Sequence, residues 1–218
     1  SRLMSDMGAA QSFRQSPVGE RPIVAFDFDG TLTIRDSFTA FLRWRAGGTG
    51  WAIGLAKMAP ALAAYIGDRD RGRIKAASVR EFLLGVERTT LEAEAERYAD
   101  QVWDRFMRPD ALACWKAWGE KGAHRVIVTA SPETTVAPFA RRLGAEGLLG
   151  TRLVFDAQDR VTGAFAGENC RGEEKVRRLR QAYGDDMKLV AAYGDTSGDT
   201  EMIAIAEEKG FRVFTGRP

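Results

Sequence analysis

Three short apolar runs constrain this chain more than any other feature: Pro22-Ile-Val-Ala-Phe-Asp-Phe28, Arg125-Val-Ile-Val-Thr129 and Lys188-Leu-Val-Ala-Ala-Tyr193. Each is short for a helix, β-prone in composition and flanked by turn formers, and none alternates apolar with polar. Such runs are strands buried on both faces, as in a parallel sheet sandwiched by helices. The first is expected near the sheet's centre. Helical patterns over 111–121, 133–143, 173–183 and 199–209, with a closing strand over 211–215, continue the alternation. Two β-like runs around Leu153 and Val161, separated by Asp156-Ala-Gln-Asp159, read as a hairpin. The order spells an α/β fold built on a doubly wound, Rossmann-like parallel sheet.

One stretch departs from that rhythm. From residue 36 to 105 the apolar spacing in SFTAFLRW, IKAASVREFLLGV and LEAEAERYADQVWDRF is helical, with no strand run between. The expected organisation is a core of residues 22–35 and 106–218 carrying a helical cap of residues 36–105, preceded by a polar, disordered leader of residues 1–21. Within the cap, residues 51–67 (WAIGLAKMAPALAAYIG) are unusually apolar, although Lys57 and Pro60 interrupt them. Two readings stay open: a buried cap helix or helix pair, which is favoured, and an amphipathic surface meeting lipid.

Lys+Arg 32 against Asp+Glu 30 gives a net charge of +2, with the signs interspersed, which points away from a nucleic-acid partner. Cys114 and Cys170 have no metal-type spacing and are too few for a secreted disulfide framework, so a reducing, cytoplasmic setting is expected. The lone His124 opens a strand and has no nucleophile elbow to serve, which argues against Ser-His-Asp acyl transfer.

The chemistry gathers where strands end, the place where ligands bind in such sheets. Asp27-Phe28-Asp29-Gly30-Thr31 puts two carboxylates two residues apart at the end of the first strand. Close carboxylates repel unless a cation offsets them, and a hard ion such as Mg2+ prefers oxygen ligands. Gly194-Asp195-Thr196-Ser197-Gly198-Asp199 supplies a second acidic group after the Leu189 run, with Asp195 as a ligand and Asp199 as a ligand or its support. Thr129 and Ala130 close the 125–129 strand, and a helix start near Pro132 offers free backbone N–H groups to an anion. Arg171 and Lys175, one turn apart, are the candidate phosphate-holding cations, Lys175 being favoured; Arg177, Arg178 and Arg180 read as a solvated face.

These residues together resemble the haloacid dehalogenase-like phosphohydrolases, whose signature begins D-x-D-G-T and ends in GD-x3-D. The resemblance spans residue 22 to the C-terminus and is nearest to the phosphoserine phosphatase-like branch. It implies a Mg2+-dependent phosphatase with Asp27 as nucleophile and Asp29 as general acid/base. It also implies metal ligands among Asp27, Asp29, Asp195 and Asp199, phosphate contacts from Thr129, Ala130 and Lys175 or Arg171, and an aspartyl-phosphate intermediate. In that branch an acidic residue seven after the second Asp, here Asp36, and a cap arginine, here Arg80, grip the substrate. Asp36 is shorter than the usual Glu, and Gly198 stands where Asn is common. The expected partner is a small phosphate ester; a lipid-phosphate (phosphatidylglycerophosphate-type) phosphatase at a membrane surface and a non-catalytic phosphate-binding module are the alternatives. Neither the substrate nor the oligomeric state is legible at this level.

Overall fold

The computed structural model of the protein describes residues 13–218. Along the chain it places β1 (Ile23–Phe26), α1 (Ser37–Lys57), α2 (Ala59–Asp68), α3 (Arg71–Leu83), α4 (Arg88–Phe106) and α5 (Pro109–Glu120). These are followed by β2 (His124–Pro132), α6 (Glu133–Leu143), β3 (Gly147–Phe155), β4 (Val161–Ala166), α7 (Glu173–Tyr183), β5 (Leu189–Gly194), α8 (Thr200–Ala204) and β6 (Ala206–Phe211).

Six strands form one sheet in the order β4-β3-β2-β1-β5-β6, parallel except for the β3–β4 hairpin. The expected doubly wound sheet is therefore present. All four residues of β1 are buried because strand pleating sends alternate side chains into different cores. Val24 and Phe26 join the larger apolar cluster, Ile23 and Ala25 the smaller one on the other face. Successive strands build outward from β1 through β2 to β3, then continue on β1's other side with β5. The sheet thus switches direction between β1 and β5, and a crevice opens at the carboxyl ends of these strands.

Five helices in succession, α1 to α5, separate β1 from β2, the first four forming the helical segment, with α1 capped by Asp36, whose carboxylate accepts from Thr39 N at 2.8 Å. They are not detached from the sheet layers: Leu91, Tyr98 and Val102 of α4 share the larger cluster with Val136 and Phe139 of α6. Trp103 stacks on Phe139 at 6.1 Å.

The structure corrects several expectations. Folding does not begin at Pro22: the Gln15 side chain both donates to Leu148 O (2.6 Å) and accepts from Leu148 N (3.0 Å), occupying backbone groups of β3. Residues 1–12, the rest of the expected leader, lie outside the described residues. The helix expected over 199–209 stops at Ala204, and the last strand lies at Ala206–Phe211, ahead of the expected 211–215. There, pairing with β5 overrides the helical propensity of Ala-Glu-Glu-Lys, and an edge position tolerates three exposed charged side chains. Arg178 is buried, donating to Gly150 O (2.8 Å) and Glu133 (3.2 Å), whereas Arg177 and Arg180 are exposed as expected. Residues 51–67 do form a helix pair, but α2 buries none of its residues. Among the described residues, no helix is long and apolar enough to cross a membrane.

Candidate active site

Asp27 follows β1 directly, its N–H donating to Tyr193 O of β5 at 2.9 Å. The chain then folds back on itself, with the N–H groups of Thr31, Leu32 and Thr33 all directed at Phe28 O. Gly30 makes this turn with φ 78, and a Cβ there would collide with the Asp195 carboxylate. Glycine is required twice over, by backbone conformation and by the approach of the second acidic loop. The Thr31 hydroxyl lies 3.4 Å from Asp27 Oδ2 and 3.3 Å from Asp195 Oδ1, bridging the two loops.

Asp27, Asp195 and Asp199 each present a carboxylate oxygen within 4.8 Å of the others. Asp199 is fixed by a capping box with Thr196 and accepts from the N–H groups of Asp195 (3.0 Å) and Thr196 (3.2 Å). Lys175 enters from the first turn of α7, and its Nζ donates to Asp27 Oδ1 (2.9 Å), Asp199 Oδ1 (2.6 Å) and Val128 O (2.8 Å). All three ammonium donors are thereby used. Burial alone would depress this ammonium, but Asp27 and Asp199 reverse the effect and hold it above its ordinary range. Asp27 is pushed well upward by burial and by the nearby carboxylates, more than Lys175 draws it down. Three carboxylates facing one ammonium leave an excess of negative charge in an all-oxygen site. That donor set fits a hard divalent cation such as Mg2+.

The Asp29 carboxylate lies outside that triplet. Its Oδ1 accepts from Ser37 N (2.7 Å), and its Oδ2 faces Ser131 Oγ (2.5 Å) and, farther away, Thr129 Oγ1 (3.4 Å). Burial, then the Asp36 charge, raises its pKa. Ser131 went unread in the sequence, although it stands two residues beyond Thr129 on one strand and therefore on the same face. Thr129 Oγ1 also accepts from Ser131 N at 3.0 Å, while Ala130 O is taken by Lys75 and Thr151.

Above these groups lies a cleft of about 560 Å³, walled on the other side by the helical segment. Arg71, Ile74, Lys75 and Ser78 face it from α3, the 3-4 spacing of one helix face. Arg80 does not: nine residues from Arg71 is half a turn out of phase, and it packs against Gly163 of β4. The substrate-gripping part expected of Arg80 is therefore corrected, and Arg71 and Lys75 hold the positions that face the cleft. Lys75 Nζ reaches Ala130 O (2.5 Å) and Asn169 Oδ1 (2.8 Å), and burial lowers its pKa to about 8. Asp36 lines the cleft as well as capping α1. Arg171 also lines it but donates to Ser197 Oγ (2.8 Å), not to the Asp27 group, and its guanidinium fills the space a side chain at Gly198 would need.

The haloacid dehalogenase-like hydrolase family matches residues 24–204, and the chain belongs to it. Protein CicA of Caulobacter vibrioides is 55% identical over 202 residues, covering 92% of this chain and 90% of that protein. Phosphoserine phosphatase SerB1 of Mycobacterium tuberculosis is 30% identical over 217 residues, covering 93% of this chain and 68% of its own. Among solved structures, a substrate-bound phosphoserine phosphatase superposes with a TM-score of 0.58 at 16% identity, covering 88% of this chain and 86% of that one. The expected hydrolase family is thereby established, and the structural likeness shows the same fold.

Proposed function

We propose that the protein is a Mg2+-dependent phosphatase that hydrolyses a small phosphomonoester through an aspartyl-phosphate on Asp27. The observation that carries this reading is the seating of Asp27 between Lys175 and the Asp195/Asp199 pair at the floor of a cleft. A carboxylate is an adequate nucleophile toward phosphorus only where neighbouring positive charge shields the incoming dianion.

In the first step a carboxylate oxygen of Asp27 bonds to phosphorus as the ester P–O bond breaks, and the departing alkoxide takes the proton of Asp29. Burial raises Asp29's pKa, which favours its carrying that proton. In the second step Asp29 accepts a proton from water as that water's oxygen bonds to phosphorus, and the Asp27–phosphoryl bond breaks to release phosphate. Lys175 holds Asp27 oriented throughout. Ser37 N and Ser131 Oγ hold Asp29. Mg2+ held by Asp27, Asp195 and Asp199 would draw charge from the phosphoryl oxygens.

Lys75, Arg71 and Asp36 on the cap side are the groups positioned to read the leaving group. SerB1's name supports including phosphoserine among the candidates. Phosphate release from phosphoserine, phosphoethanolamine, sugar phosphates, nucleotides and a lysophospholipid phosphate, with and without Mg2+, tests the reading. One ester should dominate, with turnover lost on chelation and in Asp27→Asn. Full activity of Asp27→Asn would refute the reading, and absence of turnover across the panel would favour a phosphate-binding module instead.

A further inference from the structure

From residue 46 to 67 the only charged side chain is Lys57, in a chain of which 28% is charged. Gly47, at φ 74, breaks α1, and the segment beyond it docks by one face. Trp51 stacks on Phe82 of α3 at 5.0 Å, a methyl at Gly54 would run into the same ring, and Met58 is buried. A helix docked on one face ordinarily presents charge on the other, and one that is apolar all round is ordinarily covered. Here the exposed positions include Ala56, Pro60 and Ala63 together with Ile53 (52% exposed) and Ile66 (71% exposed), with the exposed Lys57, one turn after Ile53, as the single charge among them.

The position of this face indicates what covers it. Tyr65, near the end of α2, lines the cleft beside Arg71, so this apolar helix ends at the cleft mouth. Immediately after α2 come Arg69, whose guanidinium lies 5.7 Å from the Tyr65 ring, Asp70, whose carboxylate caps α3, and Arg71, while Asp68 is engaged by Arg73 at 2.5 Å. An apolar face bordered by an aromatic ring and cations matches the lipid–water boundary of an anionic bilayer, where apolar side chains enter the acyl edge and arginines meet phosphates.

We propose that the outer face of residues 52–66 docks onto an anionic lipid surface, and that the cleft acts there on a phosphomonoester carried by a lipid headgroup. The second half of this proposal rests on the phosphatase reading above.

The test is sedimentation of the full chain with phosphatidylcholine vesicles and with vesicles that also contain phosphatidylglycerol, beside Ile53→Glu and Ile66→Glu. Hydrolysis of a soluble aryl phosphate is measured on the same samples to show that the variants are folded and to test the phosphatase reading separately. Wild type should partition onto the anionic vesicles, and each variant should bind at least about tenfold less, since each loses the transfer of one isoleucine out of water. Turnover of the soluble ester should stay within twofold, and turnover of a vesicle-borne phosphatidic acid should fall with binding. Equal sedimentation of wild type and both variants, or none by wild type, would overturn the docking whatever the soluble turnover. A change in solution mass on Ile66→Glu without vesicle binding would assign the face to a second copy and overturn it as well. Vesicle binding with no turnover of either ester would leave the docking standing and refute the phosphatase reading.

Discussion

The Nζ of Lys175 lies 2.9 Å from Oδ1 of Asp27, with both side chains buried. A second carboxylate, Asp199, shares the same ammonium at 2.6 Å. Removing one partner of a buried ion pair leaves an uncompensated charge and costs about 3–5 kcal/mol. Lys175→Met is expected to lose stability on that scale in urea unfolding, and added Mg2+ should restore part of it by replacing the missing positive charge. A loss below about 1 kcal/mol, the value of a surface pair, would contradict the arrangement.

Gly30→Ala tests the contact between the two acidic loops. The substitution forces an alanine into a positive-φ conformation and pushes a methyl against the Asp195 carboxylate. Backbone strain alone is worth about 1–2 kcal/mol. Activity should fall by considerably more than that stability loss implies, with the Mg2+ concentration for half-maximal rate raised. An unchanged Mg2+ dependence would show that Asp195 does not need this close approach.

On α3, Arg71 faces the cleft and Arg80 faces β4. Arg71→Ala should raise KM for an anionic ester about tenfold, the scale of one lost charge-assisted hydrogen bond. Arg80→Ala should change KM less than twofold. The reverse ranking in steady-state kinetics would contradict the orientation of this helix.

Lys75 gives a pH signature. Burial lowers its pKa to about 8 in the folded protein, against 10.5 ordinarily. Between these values the unfolded chain binds more protons than the folded one, so this group makes stability rise with pH, while below about 8 it contributes no slope. Across that window the urea-unfolding free energy of wild type should gain up to about 3 kcal/mol relative to Lys75→Met, in which the group is absent. A difference that does not change with pH would show that Lys75 is solvated in the native state.

The sheet was legible because its strands are short apolar runs, and the acidic loops because Asp27 and Asp195 stand at the ends of those runs, with Asp199 four residues beyond Asp195. Position along a strand alone could not say which way Asp29 turns. That depends on Ser37 N at the start of the next helix and on Ser131 across the sheet, contacts that join distant parts of the chain. Arg80 was misplaced because an arginine's type marks its chemistry but not its helical phase; counting from Ile74 and Ser78 would have selected Arg71 and Lys75. The burial of Arg178 was hidden for a similar reason, since its partners Gly150 and Glu133 come from β3 and α6. At the C-terminus, a local helical pattern lost to pairing with β5, which is decided by tertiary structure.

In the proposed reaction Asp27 becomes covalently phosphorylated. Turnover with the preferred ester should be stopped in acid within the first catalytic cycle and the peptide containing Asp27 examined by mass spectrometry. One phosphoryl group is expected on that peptide, released by hydroxylamine and absent from Asp27→Asn. Rapid phosphate formation with no adduct on Asp27 at any quench time, together with undiminished turnover in Asp27→Asn, would contradict it.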